Sequence, residues 1–236
     1  MPSFVPLVFF GALALVGLLA WLSWLAERER RQQLGTLAAS LGWQFDPSED
    51  HDHDERFAQF EVFRRGHGRM AHNTLRGTVE VAGAAVPVQM GDFTYKVTSG
   101  SGKNRSTTTY RISYLILTLR WQTPALLIRA ENVLDRLAGF LGFEDIDFES
   151  EEFSRRFHVS CADRKFAFDL VDPRMMELLM RSEPPTIDVE GGNACFCDGS
   201  RRWRPEEFRT MLQFASDFLA AWPRHLVQRM ETLHDA

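Results

Sequence analysis

The chain has 236 residues, with 27 Lys and Arg against 32 Asp and Glu, a net charge of −5, and 44% hydrophobic residues. This balance carries no basic patch or stripe of the kind that marks a nucleic-acid partner, so nucleic acid is excluded as the expected ligand. Cys161, Cys195 and Cys197 are an odd, low set, unlike the disulfide framework of a small secreted domain.

Residues 4–26 (FVPLVFFGALALVGLLAWLSWLA) contain no ionisable side chain. As a helix at about 1.5 Å per residue they reach about 34 Å, enough for a hydrocarbon core of about 30 Å. The expectation is a single-pass transmembrane helix with the lipid bilayer as its partner. Arg28, Arg30 and Arg31 follow it and no charged side chain precedes it. The positive-inside rule then puts the N-terminus outside and residues 27–236 in the cytoplasm, at the inner membrane. Trp21 and Trp24 fall where indoles favour the headgroup layer. A cleaved signal peptide would need a basic start and a shorter apolar run, and a buried soluble helix is seldom this long. Three free thiols agree with a reducing compartment.

The expected division is a span over 4–26, a juxtamembrane helix and linker over 27–72, and an α+β domain over 73–236. Leu34, Leu37, Ala38 and Leu41 continue the helix with one apolar stripe, and Gly42 ends it. Residues 48–55 (SEDHDHDE) read as a solvated linker. From 73 onward the pattern favours antiparallel strands: 74–81 and 86–97 as a hairpin, then 107–121. YLILTL within that third run is apolar on both faces, as a central strand covered on both sides would be. The tip between the second and third strands, TSGSGKNRST, is polar and rich in Gly and Ser, a usual place for contacts.

A short strand over 124–129 and a helix over 131–140 follow, with position 142 as the point where two subdomains would divide. One sheet or two is left open. Residues 153–161 alternate as a strand, Asp163 and Asp172-Pro173 are helix starts, and Pro184-Pro185 is a stop. Thr186 to Cys197 reads as a hairpin turning at Gly191-Gly192, with Cys195 and Cys197 on one face. Pro205 opens a long helix whose stripe of Phe208, Met211, Leu212, Ala215, Phe218, Leu219 and Trp222 should cover the sheet, broken at Pro223.

Three chemical readings were weighed against this frame. GSGK at the tip is no Walker loop, because Val97 and Asn104 occupy positions that need Gly and Ser or Thr, and no helix follows. Carboxylates at 144–152 cluster in sequence without the cleft that acid–base catalysis requires. Cys-x-Cys with one distant Cys falls short of a structural zinc site. No catalytic, cofactor-binding or metal-binding residue is therefore assigned.

GHGRMAHNTLRG, GDFTYKV before the Ser/Gly tip, YLILTL and FESEEFSRRFHVSCADRKFAFDLVDPRMMELL together resemble an uncharacterised bacterial family with one N-terminal transmembrane helix and a cytoplasmic domain of unknown function. The resemblance implies an anchor and a compact mixed domain, and no reaction.

The functional expectation is a tethered interaction or ligand-binding module with a protein partner at the inner membrane face, contacted through Lys103 and Arg105 at the tip. One alternative is a membrane-anchored hydrolase drawing on Asp92, Tyr95, His158 and Asp172. Another is a metal-binding sensor using His51, His53 and the cysteines.

Overall fold

One long helix, α1 (Val5–Leu41), carries the apolar front stretch directly into the stripe of Leu34, Leu37 and Ala38, which are buried in the domain core. The structure, a computed structural model, describes residues 5–130, 145–182, 184–199 and 201–234. Gly42, at φ +70°, ends α1 in the left-handed conformation that glycine tolerates. The chain then forms β1 (Gln44–Asp46), two single-turn helices α2 (His53–Arg56) and α3 (Glu61–Arg64), β2 (His67–Val81), β3 (Ala84–Ser99) and β4 (Ser106–Thr118). After β5 (Leu126–Ala130) come α4 (Glu151–Arg156), β6 (Phe157–Cys161), α5 (Arg164–Leu170) and α6 (Pro173–Ser182). The hairpin β7 (Thr186–Glu190) and β8 (Asn193–Cys197) and the helices α7 (Glu207–Ala220) and α8 (Arg224–His234) complete the order. The helix expected over 131–140 lies outside the described residues.

Among the described residues the strands form one eight-stranded antiparallel sheet in the order β1-β2-β3-β4-β8-β7-β5-β6. Strands from both sides of position 142 thus join a single sheet, the option the sequence left open. The α+β expectation holds. β4 is covered on both sides: Leu115 and Leu117 enter the larger core cluster with the helices, while Ile112, Tyr114 and Ile116 face Phe60, Phe63 and Phe93. The helix starts follow the sequence signals. Asp163 accepts hydrogen bonds from the Lys165 and Phe166 amides, and Asp172 accepts one from Met175. The β7–β8 turn has Gly191 at φ +58° and Gly192 at +83°, the two positive angles of a type I′ turn.

Three expectations are corrected. Among the described residues no helix is long and apolar enough to cross a membrane. α1 runs without a break through Glu27, Arg28, Glu29 and Arg30 into the buried stripe of Leu34, Leu37 and Ala38, so its C-terminal part packs as an element of the domain. The single-pass anchor over 4–26, the bilayer contact and the inner-membrane location with an outside N-terminus are accordingly withdrawn. Of the arginines that carried the orientation argument, Arg30 has other work. Arg30 is 9% exposed and its guanidinium is inside the domain, and Glu27 is held by Arg202 at 2.7 Å. Second, residues 48–55 are not a free linker, since His53 is completely buried. Third, the strand expected over 153–161 begins only at Phe157, because Ser150 accepts from the Phe153 amide and starts α4 over the residues before it; past the break at Pro223, α8 puts Leu226 and Met230 in the core.

Candidate functional site

On the helix-covered face, where the β2–β3 turn and the end of β4 meet the α7–α8 junction, lies a cleft of about 720 Å³. That is within the roughly 300–1,000 Å³ of small-molecule sites. Its apolar wall is built from Val81, Val86, Leu119, Leu219, Trp121 and Trp222. Two turns set the tryptophans. The residues after β4 are tied to the β7–β8 turn, Leu119 donating to the Gly192 carbonyl at 2.8 Å and Gly191 to the Thr123 carbonyl at 3.2 Å. Pro223 keeps α7 from continuing and Trp222 lies two residues past its end, its amide donating to the Leu219 carbonyl. The rings then meet at 6.1 Å between centroids, tilted by 47°, with Phe166 and Phe218 edge-on to Trp222.

Both indoles are buried, Trp121 at 7% and Trp222 at 4% exposure, and neither Nε1–H has a hydrogen-bond acceptor among the described residues. A buried indole donor ordinarily finds a partner, and leaving one unpaired costs about 1–3 kcal/mol. Both nitrogens are shut off from solvent, so what the two tryptophans add to the cleft wall is ring surface. The rim is charged. Arg120, Arg174 and Arg224 are exposed there beside the carboxylates of Asp172 and Glu231.

A second polar cluster fastens α1 to the sheet. Arg30 donates from Nε and Nη2 to the two Asp92 oxygens at 2.7 and 2.6 Å, and from Nη1 to the Trp203 carbonyl at 2.8 Å. Ser113 donates to Asp92 at 2.8 Å, and Asn73 does so at 3.1 Å from a bulge in β2, with φ +52°. Burial opposes ionisation of Asp92. The bonds and charge of Arg30, with Asn73 and Arg202, outweigh it and hold the carboxyl below its usual range. Arg30, Asp92 and Ser113 are all engaged within the chain, and of the Asn73 amide only Oδ1 has no partner among the described residues, so this cluster is a fastening.

The sequence-nominated residues are dispersed. Asp92 belongs to that fastening, while Tyr95 lies on the opposite face of β3 among Phe93 and Tyr110. His158 is on β6, five strands from β3 and hence roughly 24 Å across the sheet, paired with Asp145 at 3.2 Å. Asp172 caps α6 at the cleft rim. The hydrolase quartet is not assembled. His51 is exposed, whereas His53 sits in an aromatic box, with ring centroids 4.6 Å from Phe63 and Tyr114 and 4.9 Å from Phe57. Burial drives its pKa down to about 3, so it is a neutral ring.

The three cysteines are free and buried. Among the described residues no group of three or more His, Cys, Asp or Glu is arranged to hold a metal ion. Lys103 and Arg105 stand at the β3–β4 tip, where the strands run past their outer neighbours as a two-stranded ribbon and Arg105 is exposed. The tip and the cleft are at opposite ends of that ribbon, roughly 40 Å apart at about 3.3 Å per residue.

Trp121 and Trp222 were absent from every sequence-based nomination. One read as a strand end and the other as the last member of a core stripe. The available signal was an arginine beside each: Arg120-Trp121 and Trp222-Pro223-Arg224.

No protein-family model matches the chain, and no curated protein does. Among solved structures, the crystal structure of the mycobacterial trehalose monomycolate transport factor A, TtfA, is similar, with a TM-score of 0.53 at 13% sequence identity. The match covers 83% of this chain and 97% of that one. At this identity the likeness is one of fold.

Proposed function

We propose that the chain is a binding module that receives an amphipathic small molecule in the Trp121–Trp222 cleft. The observation that carries this reading is the cleft itself, an apolar wall that includes two tryptophans, with exposed arginines at its rim. An apolar body would cover Val81, Val86, Leu119, Leu219 and the two indole rings, and its polar head would stay at the charged rim. A protein of the same fold bears in its name the transport of trehalose monomycolate, which favours testing amphiphiles first. The Lys103–Arg105 tip enters the same reading as a separate contact for a protein partner.

The test follows the indole ¹H–¹⁵N resonances of the full chain during titration with dodecyl maltoside below its critical micelle concentration. Trp121→Phe and Trp222→Phe assign the two relevant signals, and Trp21 and Trp24, exposed on α1, serve as internal controls for unspecific coating. Saturable shifts of the Trp121 and Trp222 signals are expected. Movement confined to Trp21 and Trp24 would end the reading.

A further inference from the structure

The cleft rim carries more information than its wall. Arg120, Arg174 and Arg224 come from three separate segments, the end of β4, the first turn of α6 and the first turn of α8, and line one opening. Elsewhere the chain's arginines are commonly paired, as with Arg30, Arg56, Arg69, Arg76, Arg201 and Arg229. None of the three rim arginines has an ion-pair partner among the described residues, although the chain as a whole carries net charge −5.

Two carboxylates share the rim. One Asp172 oxygen is engaged by the Met175 amide, and Glu231 lies on α8. Counting all five groups, the opening is cationic by one charge, in a protein whose total sign is opposite. Guanidinium groups suit phosphate and carboxylate oxygens because their planar donors match those acceptors in pairs. The same cleft carries the apolar wall of Val81, Val86, Leu119 and Leu219 with the two indole rings, so one opening combines cations with hydrocarbon surface.

We infer that the ligand of this cleft is an anionic amphiphile, with a phosphate or carboxylate head at Arg120, Arg174 and Arg224 and its apolar part against Trp121 and Trp222. This rests on the cleft being a binding site at all, and adds the sign of the head group. Free phosphate would meet the rim but leave the wall uncovered, so the hydrocarbon is part of the recognition.

The experiment compares dodecyl phosphate, dodecyl maltoside, dodecyltrimethylammonium and inorganic phosphate on the full chain, each amphiphile below its micelle threshold, reading the Trp121 and Trp222 indole signals. Exposed ion pairs contribute modestly each, so three arginines should favour dodecyl phosphate over the maltoside by about tenfold at low salt, and less at high salt. The triple variant R120Q/R174Q/R224Q should erase that preference, the phosphate and maltoside heads then binding equally, and leave the unfolding midpoint unchanged. Equal affinity for the phosphate and maltoside heads would overturn the anionic assignment and leave the cleft reading standing. Tighter binding of the trimethylammonium head, or inorganic phosphate matching dodecyl phosphate, would also overturn it. No response to any amphiphile would remove the cleft reading itself.

Discussion

Asp188 shows how a single buried side chain sets a pH dependence. It is 7% exposed on the sheet face opposite the main helices, its Oδ1 has no hydrogen-bond partner among the described residues, and burial, with Glu190 and Glu61 adding repulsion, pushes its pKa up to about 8 from 3.8. A carboxyl whose pKa is raised on folding contributes its full stability below the unfolded value and loses it as pH climbs through the folded one. His53 acts in the opposite sense. Its pKa falls from 6.5 to about 3, so its contribution is complete above 6.5 and declines on acidification. Between about pH 4 and 6.5 the two slopes oppose each other, and from 6.5 to 8 only the Asp188 loss remains. Asp188→Asn should flatten the stability profile over that upper window and exceed the parent protein at pH 8, measured by urea unfolding at a series of pH values. A variant that kept the parent's decline would show that another group causes it.

At the scale of elements, the attachment of α1 depends on a residue whose sequence context suggested something else. Arg30 looked like part of a basic cluster flanking an apolar run, and its partner Asp92 is 62 positions away. No local pattern encodes that pairing. A strand bulge that places Asn73 beside Asp92 is equally invisible from period-two alternation. Removing one member of a buried pair leaves the other charge uncompensated and costs about 3–5 kcal/mol. Arg30→Met should therefore lower unfolding stability by roughly that amount, and Arg30→Met with Asp92→Asn should recover part of it. Arg30→Lys is expected to fail as a substitute, since one ammonium cannot reach both carboxylate oxygens, Ser113 and the Trp203 carbonyl together.

For the whole molecule, the long β3–β4 ribbon separates two surfaces. The cleft is at one end with the α7–α8 junction, and the polar tip at the other, beyond the strands that flank the ribbon. Replacing residues 100–105 by a two-residue Asn-Gly turn should leave the unfolding midpoint and the Trp121 and Trp222 signals unchanged, because the removed segment packs on neither core cluster. In a crosslinking pull-down the same variant should lose captured proteins if the tip is a partner contact, and an unaltered set would dismiss Lys103 and Arg105 from that role.

Local pattern determined a good share of this architecture: the doubly apolar β4, the Gly191-Gly192 hairpin, the caps at Asp163 and Asp172, and the break at Pro223. Each is decided by interactions within a few residues, which a sequence displays directly. Tertiary structure alone decided the rest. It turned Arg30 into a buried fastening, enclosed His53 in rings from three other segments, dispersed Asp92, Tyr95, His158 and Asp172, and brought Trp121 to Trp222 across a hundred positions of chain. Those outcomes depend on which surfaces meet when the sheet closes against its helices, and the energy of such meetings belongs to pairs of residues that a linear pattern never places side by side.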